Sequence, residues 1–204
     1  MRTIAIQKKT STQNVWMLTM TAVLSATSFV LAFFEIPVPL SPSFARMDLS
    51  DLPALIGAFA YGPISGVLIE LVKNALQLLT SSTGGIGELA NFIMGSSFVA
   101  AAGLIYKSHK TKKTAVVACL IASVIMGIVA AVVNFFILLP MFEVFMPLDQ
   151  LIASFGQFIP FIKTKLDVVL FNAFPFNLLK GIGISMVTML IYKRLTPILK
   201  DSQK

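Results

Sequence analysis

PALIGAFAYGPISGVLIELVKNALQLL, residues 53–79, is the stretch on which the fold turns. Read as one helix, it is long enough to cross a bilayer, since about 20 apolar residues span a ~30 Å hydrocarbon core. Read as two, it breaks at Gly62-Pro63, because proline cannot continue a helix but suits the first turn of the next. Charge decides between the readings. Basic residues cluster at Arg2, Lys8 and Lys9, at Lys107, Lys110, Lys112 and Lys113, and at Lys193, Arg194, Lys200 and Lys204. Splitting the run puts all three clusters, 11 of the 16 Lys and Arg, on one side, which the positive-inside rule makes cytoplasmic. Glu35, Asp48, Asp51, Glu88, Glu143, Asp149 and Asp167 then fall at the outer side. A single helix would leave the second and third basic clusters outside.

Apolar runs at about 15–34, 53–61, 64–79, 89–106, 115–139 and 171–192 therefore predict an all-α membrane protein. It has six transmembrane helices, both termini cytoplasmic, and is expected to be a single integral membrane domain, 1–204, in the cell membrane. The short second helix, extended by part of 47–52, is tolerable where protein rather than lipid surrounds it. Composition agrees: the 204 residues are 56% apolar and 12% charged, with mean hydropathy +0.87. Soluble domains carry about 25% charged residues. The first apolar run is too long for a signal-peptide core and lacks a small-residue cleavage site after it, so it reads as an uncleaved helix. Residues 35–52, with Pro37, Pro39 and Pro42, read as an irregular, partly extended outer cap. Residues 140–170, with Pro140, Pro147 and Pro160, read as interfacial turns or a short amphipathic helix.

Several functions are excluded. The net charge of +7 flanks apolar segments and forms no nucleic-acid recognition surface. Cys119 and His109 are each the only residue of their type, so no disulfide framework, thiolate metal site or paired-histidine centre is expected. Gly84–Glu88 is glycine-rich, but no strand precedes it and no lysine follows, so it is an outer turn and no phosphate loop. The chain cannot hydrolyse ATP. Without a nucleophile–base pair it is not read as an enzyme, and no cofactor is implied. No internal repeat appears, which argues against an inverted-repeat carrier.

The polar residues inside the apolar runs are the candidate site. Lys180 lies roughly 12 Å below the outer end of its helix, and Asn177, three residues earlier, shares its face. A lysine there costs a few kcal/mol and needs a partner or a watered cavity, unless it snorkels to the headgroups. Asn134, Glu88, Asn91, Asn74 and Gln77 occupy the outer halves of three other helices. Each asparagine alone reads more often as interhelical glue than as a ligand contact. Their convergence points to a pocket open to the outside beneath the 35–52 loop. Asn and Lys supply donors and acceptors, and Phe135, Phe136, Phe174 and Phe176 are placed to sandwich a planar ligand. Glu70 and Lys73, at i,i+3, read as a neutralised structural pair. Ala22-x-x-x-Ala26 clears one helix face for a close partner, and Gly62-x-x-x-Gly66 suggests internal packing.

Asp48-Leu-Ser-Asp-Leu-Pro-Ala-Leu, Tyr61-Gly-Pro-Ile-Ser-Gly, Leu71-Val-Lys-Asn, Gly84-Gly-Ile-Gly-Glu-Leu-Ala-Asn-Phe, Asn134-Phe-Phe-Ile-Leu-Leu-Pro and Pro175-Phe-Asn-Leu-Leu-Lys-Gly together resemble one family. It is the riboflavin-specific S component of energy-coupling factor (ECF) transporters, and the resemblance covers nearly the whole chain. It implies a six-helix binding subunit that docks on a transmembrane coupling protein with two cytoplasmic ATPase subunits. It implies that Asn134, Asn177 and Lys180 hydrogen-bond riboflavin, with Asn177 and Lys180 near the ribityl chain. It implies ring contacts from the first loop around Phe44, Ala45, Arg46 and Met47, and a coupling-protein contact at Ala22 and Ala26. Arg46 departs from the small or neutral residue expected there; an arginine can stack on the ring or favour FMN. An S component for another vitamin, and a self-sufficient secondary carrier using Glu70 and Lys73, are the rival readings.

Overall fold

The computed structural model describes the backbone of residues 2–37, 46–81 and 83–201, and the side chains of 14–36, 47–81 and 83–191. Its helices are α1 (Arg2–Leu31), α2 (Asp51–Tyr61), α3 (Pro63–Gln77), α4 (Ile86–Ser108), α5 (Lys112–Phe142), α6 (Leu148–Gly156) and α7 (165–201). A two-residue antiparallel pairing, β1 (Ile36–Pro37) with β2 (Arg46–Met47), closes the first loop at its base. The cap is thus partly extended, as its prolines suggest. Phe44 and Ala45 lie outside the described residues.

The run 53–79 is two helices. Gly62, at φ 105° and ψ 168°, holds a conformation open to glycine, and Pro63 starts α3 at once. The two helices then pack face to face: a Cβ at Gly66 would stand 2.7 Å from Ala58 Cβ and 3.0 Å from Ala54 O. Lys73 near the end of α3 reaches Asp51 at the start of α2. Direction alternates along the whole bundle. Leu24 packs by Gly57, Gly103 by Pro63, Gly95 by Glu70, and Gly181 by Ser123. One end of the bundle therefore carries the loops after α1, α3 and α5, and the other carries the basic turn at 109–111. We call these the loop end and the basic end. Both ends of the described chain leave at the basic end.

Among the described residues, four helical segments are long and apolar enough to cross a membrane: Asn14–Leu31, Ile86–Ser108, Lys112–Phe142 and Lys165–Ile191. α2 and α3 have only 11 and 15 residues, about 16 and 22 Å at 1.5 Å per residue. α2 is wrapped by protein, with Asp51, Pro53, Ala54, Leu55, Gly57, Ala58, Phe59 and Ala60 all buried. That enclosure is why so short a helix is stable.

α5 and α7 each contain one π-helical turn, Asn134–Leu138 and Val169–Ala173. Each ends two residues before a proline, Pro140 and Pro175. Proline lacks an N–H and its ring collides with the carbonyl four residues back, so the preceding turn widens. α6 is the amphipathic helix expected in 140–170. It buries Leu151 and Phe155 against Leu139, Ile162, Val168 and Val169, a small second core beside the π-turns.

Candidate ligand-binding site

Lys180 does not snorkel. It is 4% exposed, and its Nζ lies 3.0 Å from Asp51 Oδ2 and 3.8 Å from Asp48 Oδ1. It also donates to Asn91 Oδ1 at 3.4 Å, tying α7 to α4. Asp51 is shared: its Oδ1 accepts from Lys73 Nζ at 2.6 Å. Lys73 in turn pairs with Glu70 Oε2 at 2.6 Å and donates to Ser50 Oγ at 3.1 Å. Five ionisable side chains thus form one chain, Asp48–Lys180–Asp51–Lys73–Glu70, with Asp51, Glu70 and Lys73 wholly buried. Glu70 and Lys73 are paired, as their spacing suggests, but belong to this larger assembly.

The assembly is also the anchor of the first loop. Ser50 N donates to Asp48 Oδ1 at 2.8 Å, and the Ser28 hydroxyl of α1 donates to Ser50 O. Glycine makes room for it: a Cβ at Gly95 would fall 2.6 Å from Glu70 Oε2. Buried ion pairs rarely repay their desolvation against a well-packed apolar alternative. In a membrane, ionisable groups kept at that cost mark a functional site by default.

Of the other expected residues, Asn91 touches this cluster through Lys180 and the rest have other partners. Asn177 is buried one turn from Lys180, and its Nδ2 donates to Ala173 O, the last carbonyl of the second π-turn, at 2.9 Å. Asn134 opens the first π-turn and donates to Ala130 O at 2.8 Å. The two π-turns touch each other, so both asparagines stand beside the same irregular seam. Glu88 faces the turn before α4, accepting from Ser81 Oγ at 2.9 Å and Thr83 Oγ1 at 3.1 Å. Gly84 and Gly85, at φ 65° and 92°, build that turn. Met47 is half-buried at the loop base, and the Arg46 side chain lies outside the described residues. Ala22 and Ala26 are exposed on α1, to one side of the face that buries Thr21, Ser25 and Ser28.

Of the four phenylalanines, Phe135, Phe174 and Phe176 are half-buried and Phe136 is not. Phe136 is 69% exposed and points away from the bundle, because the π-turn re-aims it. Phe174 fills the space over Gly127, where a Cβ would meet its ring at 3.1 Å. Phe135 contacts Phe136 edge-on at 5.0 Å and lies under Lys165 Nζ at 4.9 Å. A cleft of about 670 Å³, lined by Trp16, Phe59, Tyr61, Tyr106 and Lys107 among others, lies at the basic end, away from the cluster. Residue-by-residue reading misses Asp48 and Asp51 as partners of Lys180. The signal is present, since two acids in one loop motif are natural counter-ions for a buried lysine.

A helical membrane bundle whose buried lysine is held by a loop-anchored carboxylate cluster is a membrane-embedded binding or transport protein. The chain belongs to the substrate-specific components of ECF transporters, whose family model matches residues 17–192. It is therefore a membrane-located transporter component and not an enzyme. It is 36% identical over 180 residues to riboflavin transporter RibU of Staphylococcus aureus (strain TCH60), covering 88% of this chain and 89% of that protein. It is 33% identical over 183 residues to riboflavin transporter FmnP of Bacillus subtilis (strain 168), covering 88% and 92%. A solved structure described as the S component of a bacterial ECF transporter matches with TM-score 0.72 and 35% identity, over 92% of this chain and 99% of that one.

Proposed function

We propose that this chain is the riboflavin-binding subunit of an ATP-driven vitamin importer. It is one membrane domain crossing the bilayer six times in the cell membrane, with the short α2 and α3 counted as crossings. Both termini and the 109–111 turn face the cytoplasm, in keeping with the basic clusters at that end. The pocket opens at the loop end, outward, beneath the first loop. Lys180, Asn177 and Asn134 contact the vitamin, Asn91 and Glu88 border it, and Phe44–Met47 cover it. Riboflavin is cargo rather than cofactor. The observation that carries this reading is Lys180, buried and ion-paired at the anchor of the loop. A ligand hydroxyl that reaches its ammonium therefore also reaches the group that fastens the cap. The names of the relatives supply the vitamin.

Binding at one face does not move a solute, and this sequence has no phosphate loop. Release inside then falls to an ECF module, a transmembrane coupling protein with two ATPases, contacted through the Ala22/Ala26 face. The test is direct. Protein purified in detergent should quench riboflavin fluorescence with a saturable isotherm. Proteoliposomes should take up riboflavin only when the module and ATP are both present. Uphill uptake by the chain alone, driven by an ion gradient, would replace this reading with that of a carrier.

A further inference from the structure

α3 and α4 are antiparallel in a fixed register. Pro63 lies against Gly103, Gly66 against Val99 and Glu70 against Gly95, each turn up α3 matched by a turn back along α4. Carried one and two turns farther toward the loop end, this register sets Asn74 level with Asn91 and Gln77 level with Glu88. Glu70, Asn74 and Gln77, at i, i+4 and i+7, share one face of α3.

Asn74 is 4% exposed, and its Nδ2 donates to Glu70 O at 2.8 Å and to Glu70 Oε2 at 3.3 Å. Its amide is therefore fixed with Oδ1 as the free end. That oxygen is buried without a hydrogen-bond partner, and so are Gln77 Oε1 and Glu70 Oε1. Buried acceptors without donors are rare in folded proteins, and three on one helix face call for a source of donors. The nearby cations do not supply it. Lys180 is engaged by Asp51, Asp48 and Asn91, and Lys73 by Asp51, Glu70 and Ser50.

We propose that Asn74 and Gln77 form an acceptor wall of the ligand site, receiving hydroxyl or N–H groups of the bound molecule. The wall selects a neutral, donor-rich ligand over its phosphorylated form. This rests on the flavin-binding reading above and assigns the residues that read the cargo's donors. Riboflavin and FMN share the imide N–H and the inner ribityl hydroxyls; the donor that only riboflavin offers is the terminal ribityl hydroxyl, which FMN carries as a phosphate, and that hydroxyl is the one the wall receives. A phosphate brings acceptors and negative charge to a wall of acceptors. Among the described side chains around this wall, Asp48, Asp51, Glu70 and Glu88 already outnumber Lys73 and Lys180, so nothing on it compensates that charge.

The test titrates purified full-length protein with riboflavin and with FMN, following quenching of flavin fluorescence. Wild type should bind riboflavin at least about tenfold more tightly than FMN. Gln77 ends α3 and is half-buried, so it tolerates replacement. Gln77→Met should weaken riboflavin roughly tenfold while leaving FMN nearly unchanged, the loss expected for one hydrogen bond. Gln77→Glu keeps an acceptor and should hold riboflavin within about threefold of wild type. Gln77→Lys supplies a donor and should narrow or reverse the preference, and Asn74→Ser should behave like Gln77→Met. An inactive fraction lowers the amplitude of quenching but not the ratio of the two affinities, so the ratio reads the wall even in a less stable variant. Wild-type affinities and ratio in Gln77→Met, Gln77→Lys and Asn74→Ser would overturn the wall alone. A wild type that binds no flavin would overturn the functional reading and the wall with it.

Discussion

The loop end and the basic end of the bundle are packed on opposite principles. At the basic end the interior is alanine, glycine and aromatic ring: Ala58, Ala102, Ala115 and Ala118 are almost fully buried, and Phe59 stacks at a tilt on Tyr106 with centroids 4.4 Å apart. Small residues let helices approach closely, and in lipid that contact replaces the hydrophobic drive. At the loop end lie Asp48, Asp51, Glu70, Lys73 and Lys180, all the buried charges among the described residues. One end is built to be stable, and the other holds groups that stability alone would not retain. The proposed site is drawn from this contrast in charge, and the cleft at the basic end has no buried charge beside it.

The contrast breaks first at Asp51. Asp51→Ala removes a partner from both Lys73 and Lys180, and stranding a buried charge costs about 3–5 kcal/mol. Thermal unfolding of purified protein should show a larger loss for this variant than for a single substitution at the basic end; a melting temperature near wild type would mean the charges are solvated. Next comes the basic end. Gly103→Ala puts a Cβ 3.0 Å from Pro63 Cα and 3.2 Å from Ala58 Cβ, and overpacking of this kind costs about 1–3 kcal/mol. The folded fraction should bind riboflavin with unchanged affinity. Weakened binding in that fraction would show that the two ends are coupled.

The third test acts on affinity. Lys180→Ala and Asn177→Ala should each weaken riboflavin binding by roughly 10- to 100-fold, equivalent to about 1–3 kcal/mol. Isothermal titration of a folded Lys180→Ala protein at wild-type affinity would move the site elsewhere. The smallest effect on binding should come from Ala22→Trp and Ala26→Trp. Both positions are exposed on α1, so detergent-purified protein should bind as wild type does. Cellular uptake should nonetheless be lost, because tryptophan fills the surface a partner helix needs. Loss of binding and uptake together would show that the face packs within the chain.

Much of the bundle is legible in the sequence because it rests on rules with few exceptions. Gly62-Pro63 breaks one apolar run into two, and the basic clusters require the alternation that the helices show. Lys180 and Asn177 announce themselves by sitting where lipid should be. Less visible is the company they keep. In the sequence Asp48 and Asp51 read as part of a proline-flanked surface loop, and only the packing of the bundle brings them against the buried face of α7 at Lys180. Phe136 is expected at the site because it flanks Asn134, but the π-turn just ahead of Pro140 turns it outward. The proline spacing is the available clue.

The two π-turns carry one residue more than the helical path requires, and this gives the site a mechanical dependence on chain length. Each residue in an α-helix advances the azimuth by about 100°, since 3.6 residues complete a turn. The packing of Gly181 on Ser123 clamps the basic-end half of α7 to α5. Deleting a single residue within 169–173 would leave that half in place and swing everything ahead of it, α6 and its small core included, through a quarter-turn or more. Insertions and deletions in these turns are therefore steering events. Relatives that differ by one residue before Pro140 or Pro175 should present a differently shaped vestibule above an unaltered lysine.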